Sequence, residues 1–166
     1  MLMKIKKIHI TVLVGCLCTL LSYSTVSLSA NSNNIDSLYH DALQAGLEGR
    51  TQQGLRSMVD AANVGSFQAA IHLAQIYAFG DKQWNIERSV AHTKVWISMS
   101  QSNLKRKENV SYIGSENHLR LLSLNGTYGD DLKTRRQALR QCVNMAKTSK
   151  QKDYYRICYA LLKKMR

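Results

Sequence analysis

Four histidines (His40, His72, His92, His118) and two cysteines (Cys142, Cys158) are the residues after position 30 with the strongest coordinating or nucleophilic chemistry. No histidine stands in a His-Glu-x-x-His or Cys-x-x-Cys arrangement, the spacings that place zinc ligands on one helix face or one turn. The Gly-x-Ser-x-Gly turn of a serine hydrolase is missing, as are the glycine-rich loops that cradle phosphate. The residues therefore point away from an enzyme: no catalytic, cofactor-binding or metal-binding position is assigned, and no small-molecule substrate is expected.

Cys142 and Cys158 lie eight positions on either side of Lys150. Two antiparallel helices joined by a turn at Lys150 bring them face to face, which suits a disulfide in an oxidising compartment. Two buried free thiols are the alternative.

Charge is the next signal. Residues 31–103 carry five Lys or Arg against six Asp or Glu, whereas residues 104–166 carry fifteen against five. The first half is near neutral and the second is strongly basic, a balance that favours anionic surfaces or partners. Arg136, Arg140 and Lys147, together with Lys152, Arg156 and Lys163, fall opposite the apolar stripes of the last two helices. They form either an ordinary solvated surface or an anion-binding face, with Tyr154 and Tyr155 placed to stack on bases.

Residues 1–30 read as an export signal: Lys4, Lys6 and Lys7 precede the apolar run from Ile8 to Leu21, and small residues follow. At about fourteen residues the run is shorter than the roughly twenty needed to cross a bilayer. Leu13, Val14, Gly15 and Cys16 also resemble the lipobox of bacterial lipoproteins, in which the cysteine is acylated. Cleavage near Ser27 to Ala30 leaves a periplasmic or secreted protein, and acylation of Cys16 leaves a membrane-anchored one. Asn109 to Ser111 and Asn125 to Thr127 match the N-glycosylation pattern, which bacterial export leaves unused.

The elements that must position these residues are helical. Proline is absent, and apolar residues recur at three and four. Asp36 is expected to cap a first helix ended by Gly46 and Gly49, and a second runs from Thr51 to Gly65. Ser66 caps a third that ends at Gly80. A loop over Asp81 to Asn85 precedes a fourth helix carrying Ile86, Val90, Thr93 and Ile97. Ser115 to Leu124 forms a further helix, with a loop from Asn125 to Gly129. Asp130 or Asp131 starts the next, and the last helix is expected to turn Tyr155, Cys158, Tyr159 and Leu162 inward. About 136 residues after the signal suffice for one core.

Gly46 and Gly80 are thirty-four residues apart, the spacing of tetratricopeptide-type units. The stretch Ala61, Ala62, Gly65, Ala69, Ala70, Leu73, Ala74, Tyr77 and Gly80, with Trp96 further on, resembles the Sel-one-like repeat family over about residues 36–103. It departs from that family at Gly80 to Asn85, where Gly-x-Gly-Val and Asp are usual, and at Ser98 to Ser100, where an alanine pair is usual.

The resemblance implies an all-α fold, a short α-solenoid of antiparallel helix pairs at 31–103; residues 104–166 read from their own pattern as a basic helical region ending in a hairpin and packed on the repeats. It also implies adaptor work for another envelope or secreted protein. Tyr77, Phe79, Trp84 and Trp96 are the candidate partner anchors; Tyr77 and Trp96 read equally as packing within the repeat, and Trp84, on a loop, is the favoured contact. The second reading is a basic module that binds an anionic polymer or surface.

Overall fold

The computed structural model describes residues 32–165. The expected export signal and Cys16 lie outside them. Among the described residues there are seven α-helices, one 3-10 helix and no strand: α1 (Ser32–Leu47), α2 (Thr51–Val64), α3 (Phe67–Phe79), α4 (Val90–Leu104), the 3-10 turn Lys107–Tyr112, α5 (Glu116–Tyr128), α6 (Leu132–Thr148) and α7 (Lys152–Lys164). The chain is all-α, and consecutive helices pack as neighbours: α1 on α2, α3 on α4, α5 on α6 and α6 on α7.

Local chemistry sets most boundaries. Ser66, Ser89, Ser115 and Asp131 each accept the backbone N–H three residues on, satisfying one of the orphan donors at a helix start. Gly65 closes α2 in the left-handed conformation, φ 119°, its N–H turned back to the carbonyls of Ala61 and Ala62.

α3 is central. Phe67, Ile71, Leu73, Ala74 and Ile76 are buried on different sides of it, because cores lie on both of its flanks. The first core joins Ala42, Met58, Ala62, Ala70 and Leu73 with Trp84. The second joins Phe67, Ile71 and Ile97 with Leu121 and Leu124 of α5, so packing runs without a break across residues 103 and 104. The third surrounds Leu139, Cys142 and Cys158.

Four expectations are corrected. α1 begins at Ser32, a turn before Asp36, because buried Ile35 draws that turn onto the core. Gly46 lies inside α1 and Gly49, at φ 78°, makes the left-handed turn, so Gly46 and Gly80 are not equivalent helix ends. Ile86 belongs to the loop, bridged antiparallel to Asp81, and α4 starts only after Ser89. Asn125 to Tyr128 continue α5 rather than forming a loop, since Gly126 lets α5 press against Leu139 of α6.

Candidate functional site

The aromatic candidates separate by burial. Trp84 is 5% exposed, its indole wedged against Gly46 and Gly54 with the His72 ring edge-on at 6.3 Å. It is a core residue, which corrects its reading as an exposed loop contact: two side-chain-free positions on α1 and α2 open a slot that the apolar ring fills. Trp96 packs between the first and second cores. Tyr77 stacks on His92 at 4.8 Å. Phe79, 68% exposed at the end of α3, is the one of the four that stands in solvent.

On α7 the inward stripe is Tyr154, Cys158, Leu161 and Met165, at helical spacing. Tyr155 and Tyr159 therefore face outward, stacked on each other at 5.9 Å, contrary to their expected burial. Cys142 and Cys158 are disulfide-bonded, with Cα atoms 6.1 Å apart, and tie α6 to α7. Arg140, Lys147, Lys152, Arg156 and Lys163 are exposed. Arg136 is not free: half-buried, it donates from Nε and Nη2 to the Met165 carbonyl and anchors the end of α7.

A second feature left no mark in the sequence reading. Three depressions join end to end along α6, sharing Gln101, Asn125 and Thr134 at one junction and His118 and Gln141 at the other. The middle one, of about 350 Å³, lies between α4, α5 and α6 and is lined by the apolar side chains Leu104, Leu121, Leu122 and Ala138 and by the amides Gln101, Asn125, Gln137 and Gln141.

None of these four amides makes a side-chain hydrogen bond to any described residue. Asn125 is 7% exposed, and no fully enclosed side-chain polar atom lacks a partner among the described residues, so its unpaired amide opens into the trough. Asn109, by contrast, is buried and donates to the carbonyls of Gly65 and Asn103.

Charge lies at one end and beside the middle of the trough: Lys105 borders the middle depression, and at the α4 end Lys94 pairs with Asp130 at 2.9 Å. His118, on the wall, accepts the Gly114 N–H at Nδ1, 3.1 Å away, and burial lowers its pKa, so the ring is neutral there.

Ser89 Oγ and His92 Nδ1 are 2.8 Å apart, but this serine caps α4 and no carboxylate hydrogen-bonds the ring among the described residues. No group of three or more His, Cys, Asp or Glu that could hold a metal ion occurs among the described residues, and no helix among them is long and apolar enough to cross a membrane.

The trough had a signal available in the sequence. Thr134, Gln137, Gln141, Asn144 and Thr148 form an uncharged polar stripe at spacings of three and four within an otherwise basic helix.

No protein-family model matches the chain, and no curated protein or solved structure matches it significantly.

Proposed function

We propose that this chain is an exported, non-catalytic adaptor of the bacterial envelope, a short solenoid related in design to Sel-one-like and tetratricopeptide repeats, that holds an extended segment of a partner protein in the trough along α6. The observation that carries the reading is the set of four unpaired amides, Gln101, Asn125, Gln137 and Gln141, converging from α4, α5 and α6 over an apolar floor. Each amide side chain both donates and accepts, which matches the alternating N–H and C=O of an extended peptide, while the leucines beneath take its side chains.

Dimensions agree. α6 has seventeen residues, a rise of about 25 Å, enough for about seven extended residues at roughly 3.3 Å each. Selecting displayed random peptides on the purified exported protein tests the proposal. Gln141→Trp, which fills the trough, is expected to abolish retention of the selected peptides, and Gln52→Trp on exposed α2 surface to leave it intact. Failure to obtain any peptide that distinguishes the two variants contradicts it.

The basic-module reading is favoured by a separate observation. Arg140, Lys147, Lys152, Arg156 and Lys163 are exposed without an ion pair among the described residues.

A further inference from the structure

At the turn between α6 and α7 an open cleft of about 460 Å³ is lined by Ala146, Lys147, Lys150, Lys152, Tyr155 and Arg156. Four of its six lining residues are cations and none is acidic. Their side chains make no ion pair with a described residue; the three bridges there, Arg50–Glu48, Lys94–Asp130 and Arg120–Glu116, all lie elsewhere. Asp153, the acid in the first turn of α7, does not line the cleft.

Four like charges around one depression repel one another, and a multiply charged anion relieves that repulsion. The disulfide Cys142–Cys158 ties together the two helices that flank the cleft, so the backbones carrying the charges are held before binding. Between the cations the apolar surface is the exposed Tyr155 ring, stacked on Tyr159 at 5.9 Å.

From this we infer that the cleft is a binding site for a phosphate ester carried on an aromatic or apolar body, the phosphate among Lys147, Lys150, Lys152 and Arg156 and the body against Tyr155. Lysine supplies point charge to a phosphate and arginine a two-pronged donor, so the mixture suits a terminal, rotatable phosphate. The site is distinct from the peptide trough, whose residues it does not share, and the two readings stand or fall separately.

The test is calorimetric titration of the full exported protein with phenyl phosphate, inorganic phosphate and phenol, and flotation with phosphatidylglycerol or phosphatidylcholine vesicles. Phenyl phosphate is expected to bind at least about tenfold tighter than inorganic phosphate or phenol. Lys150→Glu and Arg156→Glu should each weaken it by about tenfold or more, Tyr155→Ala should erase the preference over inorganic phosphate, and Lys133→Glu, outside the cleft, should change nothing. Flotation with phosphatidylglycerol alone, lost in the same variants, identifies the ester as a lipid headgroup; phenyl phosphate binding without flotation identifies a soluble ester. No binding of phenyl phosphate, binding indifferent to Lys150→Glu and Arg156→Glu, or flotation without phenyl phosphate binding each overturns the inference, the last because it reports a diffuse charged face.

Discussion

The indole of Trp84 occupies the space a side chain at Gly46 would need: a Cβ built there stands 2.4 Å from the ring's Cη2. A loop residue and a helix residue thus share one volume, and the contact locks the loop after α3 onto the α1–α2 pair. Trp84→Ala is expected to cost about 3–5 kcal/mol, the range for emptying a buried aromatic site. Gly46→Ala should cost about 1–3 kcal/mol by overpacking, although alanine is the better helix former. Denaturant midpoints at unchanged slope check both; a neutral Gly46→Ala would show that the slot has room to give.

Asn103 holds the turn between α2 and α3. It is 4% exposed, and its Nδ2 donates to the carbonyls of Ala62 at 2.9 Å and Ser66 at 3.1 Å. Asn103→Leu keeps the volume and removes both donated bonds, leaving the Ala62 carbonyl with the Gly65 N–H and the Ser66 carbonyl with the Ala70 N–H, at an expected cost of about 0.5–1.5 kcal/mol for each lost bond. Hydrogen exchange should localise the loosening to residues 61–70. Uniform destabilisation without that local signature would contradict the assignment.

How much of this was legible in the sequence follows from which physics each feature obeys. Caps and stops are local: Ser66, Gly65 and Asp131 act through backbone groups within three or four residues, and the linear order shows them. Cys142 and Cys158 were legible because an antiparallel hairpin makes their pairing a matter of symmetry about Lys150. The burial of Trp84 was not, since it depends on Gly46 and Gly54 meeting across two helices. The trough was legible only in part: the uncharged stripe of α6 can be read from the sequence, but its opposite wall exists only where Gln101 of α4 comes beside Gln137 of α6, thirty-six positions away. Gly126 misled for a related reason: glycine read locally means a break, whereas here it means close approach to Leu139.

The disulfide closes a loop of sequence separation 16 at the basic end of the chain. In the chain-entropy model a loop this short is worth about 3 kcal/mol. Cys142→Ala/Cys158→Ala should therefore lower the denaturant midpoint, with loss concentrated in α6 and α7, and alkylation of the denatured, unreduced native protein should label neither cysteine. Labelling of both would show that the bridge does not form.

Two histidines tie stability to pH. Burial lowers the pKa of both His72 and His118, and each ring accepts or shares a hydrogen bond at Nδ1, with Tyr39 and with the Gly114 N–H respectively. The folded chain then binds fewer protons than the unfolded chain just below pH 6.5, so stability rises with pH through that window and falls as pH drops below about 6.5. Glu48 and Asp131, whose pKa values are lowered by hydrogen bonds, add their loss only at more acid pH. Melts between about pH 7 and 5 should show this decline, and His72→Gln/His118→Gln should flatten it. An unchanged slope in the double variant would place its origin elsewhere.

The trough along α6 is the centre of the functional account, and a photo-crosslinking amino acid placed at Gln101 or Gln137 in living cells reads it most directly. The account predicts a discrete covalent adduct with one envelope protein from both positions, lost when Asn125→Leu is added, and none from the same group at Gln52 on the exposed side of α2. No adduct from the trough positions, or the same adduct from Gln52, would contradict it.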